Sequence, residues 1–382
     1  MGVLVTNADD WICLNICRSL GKRGIDVAVA SHKKDAMSFH SRYCKQKHVY
    51  TNPSLNVEKF IEDIVNIVKK NNYEFLIPTN DVTLMAISSF RDRIEKYVDI
   101  PIPNHETLEI CDDKSKSIEM ARKLGIPHPK TFFVESVSDI DRIVEEFEFP
   151  IVIKPFRGQG GKGVNFVSSS DMLKDVYLKT IEQYGNVMIQ EYIEGNRYLL
   201  GVIFNRNHEP RRLSLHKTIR FIGGITIFGE TADQPRVIDL GLRFLEGINF
   251  FGMGMIDFIV DKKDDKPKFM EINPRFFGSI SIHIAAGVDF PYLFYTMLKE
   301  GDIEKCFDYK KGIKSRHLLK DISHLLTILA GKAPYNYRLT KKQTITNFIK
   351  SFNCTSDYIF SLGDPLPAFT ELKEIIYRKI NR

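Results

Sequence analysis

Apolar runs and helical periodicities alternate from the start of the chain. Residues 3–6 (VLVT) read as a buried strand, residues 12–23 carry Ile12, Ile16 and Leu20 on one helical face, and residues 26–30 (DVAVA) read as the next strand. The pattern continues with a helix at about 57–70, a strand at 74–77, a helix near 82–96 and a short strand at 98–101. A β-α-β repeat of this kind predicts an open parallel sheet with helices on its faces. Pro101 and Pro103 end the run, so residues 1–103 are expected to form one small doubly wound domain.

The second stretch opens with a helix near 113–124 that Gly125-Ile126-Pro127-His128-Pro129 stops. Strands are expected at 131–134 and 150–154, with a helical segment between them at about 138–147. The sequence 155–163 (PFRGQGGKG) then leads into a strand from Val164 to Val167. Gly158, Gly160, Gly161 and Gly163 crowd into six residues and predict a mobile hairpin loop with exposed backbone N–H groups, a form suited to wrapping phosphate. Further strands are expected at 187–190, 198–204, 213–218, 255–260 and 268–272, with a helix at about 234–247. The polar Asp261–Pro267 connection reads as a hairpin turn, which places Asp257 and Glu271 on neighbouring antiparallel strands. Period-two alternation puts Asp257 on a face with Met255 and Ile259, and Glu271 on a face with Phe269 and Asn273. Both carboxylates and the Asn273 amide can then converge on one ion. Three helices close the chain, at about 318–330, 341–352 and 368–380, separated by Gly331, Pro334 and the 363–367 break.

Composition narrows the function classes. At 382 residues, 43% of them hydrophobic and 27% charged, the chain supports two or three domains with proper cores and is not disordered as a whole. Its six cysteines include no CxxC pair, so reduced, mostly buried thiols are expected. The histidines make no HExxH or Cys/His array, which disfavours zinc hydrolysis. The net charge of +6 suggests a polyanion partner until it is localised: residues 299–382 hold 16 basic against 9 acidic side chains, and residues 1–298 hold 38 against 39. The body is electrostatically ordinary and contains no recognisable nucleic-acid module. The N-terminus lacks a positive leader region, and no run approaches the roughly 18 apolar residues of a transmembrane helix, so a cytoplasmic protein is expected. The basic tail interleaves Ile, Phe, Tyr and Leu, which keeps peripheral membrane association as a secondary expectation.

Four separated pieces carry compatible chemistry: Lys114 and Lys154, the glycine loop 158–163, the segment 190–193, and Asp257/Glu271/Asn273/Arg275. Phosphate needs fixed cations and backbone donors, and Mg²⁺ needs hard oxygen ligands that also bridge to phosphate. Together they specify a nucleoside triphosphate site, although GxxxxGK[ST] and GxGxxG are both absent.

The order of these pieces resembles the ATP-grasp superfamily, in particular the carboxylate–amine ligases related to the large subunit of carbamoyl phosphate synthetase and to D-alanine–D-alanine ligase. The resemblance runs through residues 1–298 and rests on Asp112-Asp113-Lys114, Val152-Ile153-Lys154-Pro155, the glycine loop, Gln190-Glu191-Tyr192-Ile193 and Glu271-Ile272-Asn273-Pro274-Arg275. It implies an α/β and α+β architecture: a Rossmann-like pre-grasp domain (1–103), a lid subdomain (104–190), a C-terminal grasp subdomain with the metal site (191–311) and a small, mainly helical extension (312–382). It further implies that Lys114 and Lys154 contact phosphates and that Gly158, Gly160, Gly161 and Gly163 close over the β and γ positions. Gln190, Glu191, Tyr192, Ile193 and Glu194 would border the adenine, and Asp257, Glu271 and Asn273 would hold two Mg²⁺ ions, with Mn²⁺ as an alternative. Arg275 would stabilise the transferred phosphoryl group. One departure stands out. An acidic ribose-binding residue is expected just past Gly195, where this chain has Asn196 and Arg197; either Glu191 or Glu194 reaches the ribose from a shifted position, or the ribose is held loosely.

The implied reaction is ADP-forming ligation: ATP converts a carboxylate to an acyl phosphate, and an amine displaces phosphate. The partners are then a small carboxylate and an amine (amino acid, peptide or anionic precursor), with a homodimer as the default assembly. A bicarbonate- or phosphate-transferring relative is the alternative, and an ATP-binding regulator a third. Arg220, in the cationic segment His216–Gly224, is the expected substrate-edge residue. His283 reads either as a core imidazole or as part of the acceptor pocket. Thr6–Asp10 and Thr79-Asn80-Asp81 sit at carboxyl ends of strands, the usual ligand side of open sheets.

Overall fold

The computed structural model describes residues 2–134, 139–158, 160–332 and 339–380. The expected Pro334 break and the first residue of the 138–147 helix lie outside them. Four parallel strands open the chain: β1 (Gly2–Val5), β2 (Val27–Ser31), β3 (Cys44–Val49) and β4 (Tyr73–Ile77), in the order β3-β2-β1-β4. The doubly wound expectation is met, with two local differences. β3 was not expected, because CKQKHV is a half-exposed edge strand with no apolar alternation to signal it. Conversely, residues 98–101 make only a single bridge, Asp99 to Phe75.

The second sheet belongs to the lid: β5 (Thr131–Phe133), β6 (Ile151–Pro155), β7 (Asn165–Val167) and β8 (Val187–Glu191), ordered β5-β8-β6-β7 with antiparallel pairs throughout. The helices Asp139–Glu146 and Ser170–Tyr184 cover it. The sequence pattern had not revealed the second helix. Ile143, Ile151, Ile153, Leu173, Tyr177 and Ile189 form a core of the lid's own.

The third sheet has seven strands: β9 (Gly195–Phe204), β10 (Pro210–Ile222), β11 (Ile225–Thr231), β12 (Gly252–Asp261), β13 (Pro267–Asn273), β14 (Lys314–Arg316) and β15 (Ser356–Asp357), ordered β13-β12-β9-β10-β11-β14-β15. The central strands β9 and β12 sort their side chains by parity. Leu200, Val202, Phe204, Ile256 and Phe258 face the core under helix Pro235–Gly247. Leu199, Ile203, Met253 and Met255 face a second core, continuous with Val3, Val5, Ile12 and Ile16 of the first domain and with Phe276, Phe277 and Phe290. The first domain and the seven-stranded sheet are thus fused through one apolar layer.

The C-terminal segment is helical (Leu318–Leu329, Lys341–Lys350, Leu366–Ile380), and its strands β14 and β15 extend the seven-stranded sheet. A buried ion pair pins it to the first domain. Arg18 donates from Nε to Asp364 Oδ2 (2.8 Å) and from Nη2 to the Asp364 carbonyl (2.7 Å), while Ser41 Oγ and the Arg42 N–H fill the remaining carboxylate positions. Removing one partner of a buried pair leaves the other charge uncompensated, at a cost of about 3–5 kcal/mol. Asp364→Ala is expected to lose stability on that scale in urea unfolding, and Arg18→Ala to lose no more when combined with it.

Candidate active site

The site begins with a hairpin. β12 and β13 pair antiparallel with Asp257 opposite Glu271 and Met255 opposite Asn273, as the turn chemistry predicts. One correction concerns Phe269. The register shifts between Asp257 and Phe258, so Met270 is an extra residue that reverses the parity of the strand. Phe269 therefore packs against Phe244 and Phe258 in the core, while Glu271 and Asn273 turn to the opposite side with Asp257.

Asp257 is 1% exposed, and its Oδ1 has no hydrogen-bond partner. Its Oδ2 accepts from Arg197 Nη2, which also lies 3.9 Å from Glu271 Oε1. Arg197 Nη1 donates to the Gly224 carbonyl. Burial pushes the Asp257 carboxyl up to about 6 despite Arg197, with Glu271 adding to the rise. Burial works the same way on Glu271, but Lys114, Arg197 and Lys154 outweigh it and hold that carboxyl below its usual range.

The cations arrive from three other elements. Asp113 caps helix Lys114–Lys123 by accepting from the N–H groups of Ser115 and Lys116, separating it from the preceding helix His105–Asp112. That cap fixes Lys114 at the first helical position, with Nζ 3.7 Å from Glu271 Oε2 and donating to the Gly158 carbonyl at 2.7 Å. Lys154 stands on β6, next to the centre of the lid sheet, and is 6% exposed. Burial depresses it to about 8, with Glu271 and Asp257 opposing the shift and Lys114 and Arg197 reinforcing it. Arg275 forks onto Asp81, at the start of helix Asp81–Ser89, and donates from Nη2 to Asn273 Oδ1 at 3.1 Å.

The glycine loop closes over this group. Gly158, Gly160, Gly161 and Gly163 all have positive φ, and a Cβ on Gly161 would stand 2.6 Å from the Gly223 carbonyl on the β10–β11 turn. Gln159 lies outside the described residues. The loop's stem is held by Arg157, which donates to Asp112 (2.7 Å) and Glu109 (2.8 Å). A small cleft between loop and hairpin is lined by Asp81, Asp112, Lys114, Gly158, Gly160, Glu271 and Asn273.

The segment 190–194 crosses from lid to body. Gln190 is buried and donates to Thr131 Oγ1, Glu191 accepts from the Lys130 N–H and from Lys268 Nζ, and Tyr192 meets Phe166 edge-on. Ile193 is buried, and Glu194 pairs with Lys262. The two carboxylates weighed for the ribose are thus engaged by lysines.

The structure does not bring Arg220 into the group. Its guanidinium forks onto buried Asp321 (2.7 and 2.6 Å) and lies 4.4 Å from the centre of the Phe228 ring, bracing the sheet against helix Leu318–Leu329. His283 is a core imidazole, 3.0 Å from His216, and burial pushes both rings well below the usual imidazole range. Of the strand-end segments, Asp81 joins the site through Arg275. The residue that sequence reasoning left out is Arg197. Its signal was the one that exposed Lys154: a cation entering an apolar strand beside glycines.

Set on this fold, the donors suit a polyphosphate and a hard cation: two carboxylates, an amide oxygen, an unsatisfied buried carboxylate oxygen, two lysines and a glycine loop. Residues 111–279 match the family described as ATP-grasp domain. The chain therefore carries an ATP-grasp domain. Its sequence is 24% identical over 294 residues to pyruvate carboxylase of Bacillus subtilis, covering 72% of this chain but only 25% of that protein, so it spans about a quarter of that relative's length. Among solved structures it is similar to the biotin carboxylase domain dimer of Hydrogenobacter thermophilus 2-oxoglutarate carboxylase in complex with MgADP, ADP and bicarbonate. There the TM-score is 0.68 at 17% identity, covering 82% of this chain and 73% of that one. It is also similar to the L-amino acid ligase of Bacillus licheniformis, with a TM-score of 0.64 at 13% identity, covering 78% and 74%. At such identities the likeness establishes the fold.

Two outcomes follow from this geometry. Gly161→Ala should break the loop–hairpin contact, seen as faster amide hydrogen exchange at residues 160–164 with the global melting temperature unchanged. Lys154 is largely neutral above pH of about 8, and a bound phosphate favours its charged form. ADP binding at pH of about 9 is therefore expected to take up a proton, measurable by calorimetry in buffers of different ionisation heat, and Lys154→Met should abolish that uptake.

Proposed function

We propose that this protein is an ADP-forming carboxylate–amine ligase that uses ATP and Mg²⁺. The observation that carries the reading is the convergence of Lys114, Lys154, Arg197 and Arg275 on the Asp257–Glu271–Asn273 hairpin beneath a glycine loop. Such an arrangement neutralises charge and supplies no nucleophile. It therefore suits phosphoryl transfer to an incoming carboxylate.

In this reading the main chain of residues 190–193 borders the adenine, and Lys114, Lys154 and the glycine-loop N–H groups hold the phosphates. Asp257, Glu271 and Asn273 would hold Mg²⁺, taken as two ions, which supplies charge neutralisation at the β and γ phosphates. The lid positions the γ-phosphate for attack by the substrate carboxylate, ADP leaves, and an acyl phosphate remains. An amine adds to its carbonyl carbon, Arg275 stabilises the tetrahedral oxyanion and the departing phosphate, and as the C–O bond to phosphate breaks the phosphate carries away the amine's proton, leaving the amide. Water exclusion under the closed loop protects the acyl phosphate from hydrolysis. A homodimer remains the proposed assembly.

The second reading takes bicarbonate as the carboxylate, favoured by the carboxylase relatives above. Incubation with ATP, Mg²⁺ and a metabolite extract, with and without ¹³C-bicarbonate, separates the two by product mass. ADP and phosphate release should depend on the acceptors and fall by about 10³-fold or more in Glu271→Ala. Tight ATP binding without turnover across amino acids, peptides and bicarbonate would overturn both readings.

A further inference from the structure

A pocket of about 290 Å³ lies between the β10–β11 hairpin and the helices Leu318–Leu329 and Lys341–Lys350, and it shares no lining residue with the cleft under the glycine loop. Its walls are apolar, made by Ile219, Phe228, Leu325, Leu339 and Phe348. Arg220, Asp321, Lys314 and Lys350 supply its charged lining. A concavity with apolar and aromatic walls and a few converging polar groups is the ordinary form of a small-ligand site, and this volume is at the small end of that range.

Charge defines what the pocket can take. One carboxylate serves two guanidinium groups: Asp321 accepts from Arg220 Nε and Nη2 (2.7 and 2.6 Å), and its Oδ2 lies 3.9 Å from Arg316 Nη1. The two arginine side chains are only 12% and 5% exposed, and among the described residues no second carboxylate comes within 4 Å of either. Arg316 turns its Nη1 to Ser351 Oγ (3.1 Å) and its guanidinium to the Phe352 ring. Arg220 keeps Nη1 without an acceptor among the described residues. Lys314 is loosely paired with Glu230 at 3.8 Å, Lys350 is exposed with no carboxylate partner among the described residues, and burial holds His324 below the usual imidazole range, so that it adds no charge. Arg220, Arg316, Lys314 and Lys350 against Asp321 and Glu230 leave a surplus of two positive charges. A largely buried cationic surplus is costly until an anion answers it. The ring walls require that anion to carry an apolar body, which inorganic phosphate lacks.

We propose that this pocket binds a small organic carboxylate with an aryl or branched-alkyl body, at a site separate from the phosphate-binding groups. The proposal is independent of the ligase reading. The test is calorimetric titration of the full chain with 3-phenylpropionate, indole-3-acetate and 4-methylpentanoate, with 3-phenylpropionamide as the uncharged counterpart and inorganic phosphate as competitor. At least one acid is expected to bind with a dissociation constant of about 1 mM or tighter, and the amide about tenfold more weakly or worse. Excess phosphate should not displace the acid. Asn347→Trp fills the pocket from an exposed helical position and should weaken binding about tenfold or more, and Lys350→Glu about threefold or more, both with the melting temperature of the free protein unchanged. Binding that both variants leave unchanged, equal binding of amide and acid, displacement by phosphate, or no binding by any of the three acids overturns the proposal.

Discussion

The pairing of Asp257 with Glu271 across one hairpin is the constraint around which the site is arranged. Two carboxylates brought together at the edge of a core repel each other and lose water. Neither consequence is tolerable unless cations are supplied from elsewhere, and each cation that answers comes from a different element. Lys114 is set by a capped helix, Lys154 by a lid strand and Arg197 by the strand beside the hairpin. The charge cluster is therefore also what registers the lid against the body.

Much of this was legible in the sequence because it rests on strong local signals. Strand parity, the Asp261–Pro267 turn and the four glycines are enough to dictate the hairpin and the loop. What escaped had weak local signals or depended on distant partners. The half-exposed β3 shows no alternation, and the parity reversal at Met270 comes from one residue that no pattern marks. Arg220 was drawn to the site by nearby glycines and cations, and its actual partner, Asp321, lies 101 residues along the chain. Arg197 was noticed only as a missing acid.

The tail illustrates a related point about charge counts. Its excess of basic side chains marked it as an appendage, yet Arg18–Asp364, Arg220–Asp321 and strands β14 and β15 weave it into the body. Its inward charges are structural.

The lid has one core, entirely its own, whereas the first domain and the seven-stranded sheet share a layer in addition to the separate core that each keeps. Damage will therefore spread unequally through the molecule. A packing defect in the shared layer reaches from the first strand to the residues that follow Arg275, and so touches both units at once. A defect around Ile153 or Tyr177 stays within the lid. The lid can thus drift in sequence, loosen or stiffen as a separate unit under selection, changing how often the site is covered without endangering the fold beneath it.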